Sequence, residues 1–474
     1  MRKIKIFVCA LLLLLAESCN YKSDETRSNE DSIKPISNEV LETSVLYEVN
    51  VRQYSKEGTF SAFTKDIPKL KDLGVKIIWL MPIFPISKTK RKATGGDFAS
   101  LIDDKIVRDK MLGSYYAVSD YKKVNPEFGT IEDFRDLIKI AHDNEMYVIL
   151  DWVPNHTGWD HSWIKTNPEY YTQNIDGVII DPINPDNGES WGWQDVADLN
   201  YSNYEMRTMM LNEMKYWVNN ENIDGFRCDV AGAVPLDFWK STIKELRSQK
   251  SLFMLAEAHE SELVKGDDLF DMIYGWDRHH TFNEMSKSKK APQLWRNRFE
   301  KDLKRYEKDD ILMNFVTNHD ENSWNGTVRE RLSDASELIT AMSFLVPGMP
   351  LIYSGQEYDL DHRLLFFEKD QIPKEKKIMW PLLKNLGELK NNNPALNGGK
   401  NAAFYEDIDL KNQNILAFNR IKNKYKVTFI GNFSDSIQTI NNPSKGARDY
   451  ISKKIEKKEV LNIDPWEFRI LVQN

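Results

Sequence analysis

The chain has 474 residues, too many for one small core at about 100–200 residues per domain, and its ordinary globular composition excludes a fibrous or low-complexity protein. A net charge of −8, with no long basic run before the C-terminal "SKKIEKKEV", excludes nucleic acid as a main partner, because that needs a basic footprint. The late lysine cluster reads as solvated surface.

The opening "MRKIKIFVCALLLLLAESC" has a cationic start followed by an apolar run from residue 6 to 16. That run is too short to span a bilayer and has the form of a secretory signal. It ends at Ala16-Glu17-Ser18-Cys19, which resembles a bacterial lipoprotein cleavage box. The expectation is a signal peptide over residues 1–18, a lipidated Cys19, and a polar, flexible tether over residues 19–43 that buries too little to fold alone. The protein is then exported as an outer-membrane lipoprotein on the periplasmic or cell-surface face. With Cys9 removed and Cys19 lipidated, Cys228 is left alone, so no disulfide framework is expected; its thiol reads as buried and inert.

From residue 44 to 394, apolar runs of strand length alternate with helix-length amphipathic segments. The strand candidates are "VLYEVNVRQY", "VKIIWLMP", "MYVILDWV", "IDGFRCDV", "SLFMLAE", "DMIYG", "ILMNFVTNHD" and "PLIYSG". Between them, stretches such as "IEDFRDLIKIAHDN", "EMRTMMLNEMKYWVNN", "PLDFWKSTIKELRSQ" and "SELITAMSFLV" repeat apolar residues at three and four. Eight such repeats predict an α/β fold, a (β/α)8 TIM barrel, better than a doubly wound sheet. Residues 152–200 lack a helical period and are rich in Asn, Asp, Pro, Gly and Trp, so an inserted subdomain follows the third strand; a second long connection covers residues 86–121. Past "NNNPALNGGK" the runs become short and alternating, which predicts a C-terminal antiparallel β-sandwich over residues 395–474.

The barrel's strand ends carry unusual charge: Asp151 with Asn155 and His156, Arg227 and Asp229, Glu257, and His319 with Asp320. Arg227 and Asp229, at i and i+2, share a strand face and on their own read first as a structural ion pair. Several rims converging on one barrel mouth point to a site instead, since the C-terminal ends of barrel strands carry the chemistry. Carboxylates around one cavity suit glycosidic cleavage, one attacking the sugar and another protonating the leaving oxygen.

The segments "DWVPNHT", "GFRCDVA", "AEA" and "FVTNHDEN", with "GSYYAVSDYKKVNPEFGT" before them, resemble the ordered regions of the α-amylase family, glycoside hydrolase family thirteen. That resemblance implies Asp229 as nucleophile, Glu257 as general acid/base and Asp320 as a third carboxylate gripping sugar hydroxyls. It implies that Arg227 keeps Asp229 ionised, that His156 and His319 hydrogen-bond the sugar, that Tyr116 stacks on it, and that Asp151 braces the site. Like charge should raise the pKa of Glu257. Gly232-Ala233 replaces a Lys-His pair found in many members and Ser114 replaces a histidine. Asn155 and Asp198 remain as calcium ligands, so a structural calcium is in question and no catalytic metal or other cofactor is expected. "ADLN", residues 197–200, has the aspartate rather than the neopullulanase lysine form. The implied function is retaining hydrolysis of α-glucosidic, mainly α-1,4, bonds in starch, glycogen or maltodextrins by a monomer. The alternatives are an exo-acting α-glucosidase, a transglycosylase, or a catalytically silent glycan-binding relative.

Overall fold

In the computed structural model, residues 33–184 and 187–473 are described. Signal peptide, Cys19 and the first part of the expected tether lie outside them. Eight parallel strands close a barrel: β1 Val45–Val49, β2 Val75–Leu80, β3 Tyr147–Trp152, β4 Gly225–Cys228, β5 Phe253–Ala256, β6 Met272–Tyr274, β7 Ile311–Asn314 and β8 Met349–Tyr353, with β8 pairing back onto β1. Nearly every strand residue is buried, as parallel strands covered on both faces require. The barrel interior is filled by Leu46, Ile77, Trp79, Ile149, Phe253, Leu255, Met272 and Met313.

Several strands are shorter than their apolar runs. The first ends at Val49 because the side chain of Asn50 caps a short helix, Val51–Tyr54, by accepting from Gln53 N–H. The fourth, expected over residues 223–229, keeps only Gly225–Cys228: beyond it Asp229 N–H donates to Trp152 O, and Val230 turns left-handed at φ 43°. The expected tether also differs at its end. Ser37 caps a helix over Asn38–Thr43, and Ile36 and Leu41 are buried against the barrel's interior cluster. Residues 33–43 therefore belong to the folded body, their apolar side chains closing the end of the barrel from which the strands begin.

The insertion after β3 contains a two-stranded antiparallel sheet, His156–Gly158 with Val196–Asp198. After the last barrel helix, Met379–Asn392, the chain enters two antiparallel sheets of five and two strands. Ile415, Ala417, Ile430, Ile440, Leu461, Ile463 and Leu471 pack as one cluster drawn from both. Arg420, fully buried, ties this domain to the barrel by donating to Leu345 O (2.8 Å).

Candidate active site

The mouth of the barrel opens into a cleft of about 1280 Å³, more than a single small-molecule pocket and large enough for several sugar units. Asp229, Glu257 and Asp320 line it with Tyr116 and His156, while Arg227 and Asp151 lie beneath. The register explains the convergence. Asp151 sits directly across from Arg227 on the neighbouring strand, and Glu257 follows Ala256, which pairs with Cys228. Gly225 permits this close approach: its φ is +152°, and a Cβ there would lie 1.8 Å from Phe253 O.

Arg227 is wholly buried and holds three carboxylates. Its Nη1 donates to Asp151 Oδ1 (2.8 Å) and to Asp229 Oδ1 (2.9 Å). Nη2 lies 2.8 Å from Glu257 Oε2 as an ion contact, off the hydrogen-bond line. Nε donates to Tyr274 OH (3.2 Å). The left-handed Val230 presents its N–H to Glu257 Oε2 at 3.0 Å. A left-handed β-branched residue is strained, and here the strain delivers a donor to a reactive carboxyl.

The protonation pattern departs from the expected one. Burial, reinforced by Glu257 and Asp151 against the opposition of Arg227, pushes Asp229 well above the usual carboxylate range. For Glu257 burial also pulls upward, but Arg227 and the Val230 N–H outweigh it and the carboxyl sits below its ordinary value. For Glu257 this direction is opposite to the expected one. One guanidinium faces three carboxyls, so their charges do not vary independently. Asp151, raised to about 6 by burial, accepts from Trp79 Nε1 and Tyr116 OH, both at 3.1 Å, and does not line the cleft.

His319 joins the site to β1. Its Nδ1 is 2.5 Å from Glu48 Oε1, and its Nε2 is 2.7 Å from Tyr116 OH and 3.3 Å from Asp320 Oδ2. Burial pulls its pKa down, but Asp320 and Glu48 override it and hold the imidazole at about 9, cationic near neutrality. His156 has no such partner, and burial lowers it to about 3, leaving a neutral ring at the cleft wall. Burial likewise pushes the Cys228 thiol well up, and it lies outside the cleft.

Sequence reasoning did not find Glu48, Trp276, Trp324 or Phe366. Glu48 had a signal, a lone acid inside the run "VLYEV"; Trp276 opens the helix after β6, Trp324 lies in the short helix Glu321–Asn325 and Phe366 in a loop, and their meeting depends on the closed barrel. Trp276 lies against Tyr274 (5.2 Å, 28°), and Phe366 is near-parallel to Tyr116 (6.5 Å, 11°). For calcium, the Asn155 amide nitrogen faces His156 Nδ1 (3.4 Å), and burial raises the Asp198 carboxyl to about 6. Two side chains alone supply fewer than the six to eight oxygens a hard cation takes. Among the described residues no group of three or more His, Cys, Asp or Glu could hold a metal.

Residues 23–392 match the family model for the alpha-amylase catalytic domain. An alpha-amylase of Haloarcula japonica is 23% identical over 85% of this chain and 57% of its own length; a Dictyoglomus thermophilum alpha-amylase is 25% identical over 67% and 64%. The chain thus spans about six-tenths of the length of these relatives. Among solved structures, an alpha-amylase from Lactobacillus plantarum superimposes with a TM-score of 0.79 at 26% identity, covering 92% of this chain and 100% of its own. A maltogenic alpha-amylase from Thermotoga neapolitana does so at 0.76 and 28%, covering 91% and 98%.

Proposed function

The chain belongs to the alpha-amylase catalytic-domain family, and from that premise we propose that it hydrolyses α-glucosidic, chiefly α-1,4, bonds of starch, glycogen or maltodextrins with retention of configuration. The observation that carries this reading is the trio of Asp229, Arg227 and Glu257 on the cleft floor. Both carboxyls contact the one guanidinium, at 2.9 and 2.8 Å. That closeness suits direct attack, which works at roughly 5–5.5 Å, rather than the wider gap that admits a water between the carboxyls.

In this mechanism Asp229 attacks the anomeric carbon while Glu257 gives its proton to the glycosidic oxygen. Glu257 then takes a proton from the water that releases the product. The chemistry needs the proton on Glu257 and the charge on Asp229, against the directions in which burial pushes Asp229 and Arg227 pulls Glu257. A glucan whose bridging oxygen draws Glu257 away from Arg227 removes the interaction that holds its pKa down. Glu257 is then protonated more readily, while Asp229 stays beside Arg227, whose charge favours its ionised form. Asp320 and neutral His156 engage sugar hydroxyls, and Tyr116 offers an aromatic face. No step passes through a metal.

The site variants test the reading. Asp229→Asn should nearly abolish starch and maltoheptaose hydrolysis while keeping the folded circular-dichroism spectrum. Glu257→Gln should lose on the order of 10²–10⁴ in rate on glucans, and less on an aryl glucoside whose leaving group needs little protonation. Full activity in Asp229→Asn would return Arg227 and Asp229 to a structural ion pair.

The same proposal includes export as a monomeric, lipid-anchored protein held at Cys19, supported by the cationic start, the short apolar run and the cleavage-box resemblance. Several acyl chains hold a membrane firmly where one does not. Cys19→Ala should move the protein to the soluble fraction, and unchanged membrane association would remove the anchor.

A further inference from the structure

We infer that the cleft is blind at its glycone end, so that the enzyme engages α-glucan chains by their non-reducing terminus and removes short units instead of cutting at internal positions. This rests on the hydrolase reading above.

The direction of the chain in the cleft follows from the two carboxyls. The sugar attacked by Asp229 is the glycone, and its chain continues to the non-reducing end; the unit whose oxygen Glu257 protonates leaves toward the reducing end. Glu257 follows β5 and Trp276 follows β6, so with His259 and Glu260 they form the leaving-group side. Tyr116, between β2 and β3, and Leu364–Phe367, beyond β8, line the opposite side. The glycone chain therefore heads toward the barrel edge made by β8, β1 and β2.

That edge is walled. Lys92–Gly96, from the long connection after β2, and the segment after β8 both line the cleft, and they are tied together across β1. Thr94 Oγ1 donates to Glu368 Oε1 (2.6 Å), and Leu112 N–H donates to Phe367 O (2.7 Å). The same connection is fastened to the inserted subdomain, where Lys92 Nζ reaches Gly192 O (3.2 Å) and Asp195 Oδ1 (3.3 Å). The β8 segment is held from below by buried Gln53, whose Nε2 donates to Leu365 O (2.6 Å) and Glu368 O (2.8 Å). Trp324 packs on Phe366 and Phe367 at 5.1 and 5.8 Å, extending the wall on the β7 side. A rim bridged in this way from the subdomain through Thr94 to Trp324 stands across the path of a longer glycone chain. On the leaving-group side, the short stretch from Glu257 to Glu260 carries no comparable long insertion.

The test compares p-nitrophenyl maltoheptaoside with the same compound carrying a 4,6-O-ethylidene block on its non-reducing unit, products being separated by chromatography. The full-length protein should cleave the blocked compound at least tenfold more slowly, and the first products of the free one should be short saccharides from the unlabelled end. Removing the strap with Thr94→Gly and Glu368→Ala, both on the rim and away from the carboxyls, should narrow the ratio. Equal rates on the two compounds in the unmodified protein would overturn the blind end. A preference that survives the double variant unchanged would overturn the assignment to this strap. Inactivity on both compounds would overturn the hydrolase reading, and this inference with it.

Discussion

At the residue scale the site is a problem of too many acids for too few cations, solved by Arg227 and a protonated His319. His319 offers a pH test. Its pKa is raised from an ordinary 6.5 to about 9 by Asp320 and Glu48 against the pull of burial. A group raised on folding contributes stability that is fully present below its unfolded value and is lost as pH rises through the folded one. The stability gap between wild type and His319→Gln should therefore be widest near pH 6 and should close between pH 7 and 10, read by thermal midpoints; a gap that widens with pH would show a neutral histidine. The charged strand ends were legible because ions rarely sit in apolar runs unless paired. How tightly each carboxyl is held was not, because it depends on how one guanidinium divides its nitrogens among Asp151, Asp229 and Glu257.

At the scale of elements, period and length identified the strands and helices but overran strand ends wherever side-chain chemistry stopped the ladder early. Asn50 capping a helix cut β1 short, and the left-handed turn at Val230 cut β4 short. Both departures serve the site. The turn aims a backbone donor at Glu257. Asn50 stays in the buried network under the cleft, accepting from Tyr115 OH at 3.0 Å. Loops were legible only as insertions. Nothing local in Lys92, Thr94 or Glu368 announces that they meet, because their partners stand 100 or more residues away and come together only when β8 closes on β1.

For the whole molecule, alternating runs and four short motifs carried the barrel, the subdomain and the C-terminal sheets from sequence to structure. The polarity of residues 33–43 misled, since Ile36 and Leu41 among polar neighbours suffice to seal the barrel floor once a helix presents them together. The resulting layout puts that sealed floor opposite the cleft, so substrate enters from the face carrying the strand-end carboxyls. The central claim is direct attack by Asp229 with Glu257 as its acid partner, and the stereochemistry of the first product tests it most directly. Proton NMR recorded during the first minutes of maltoheptaose hydrolysis, before mutarotation, should show newly formed reducing ends as α-anomers; initial β-anomers would contradict the mechanism.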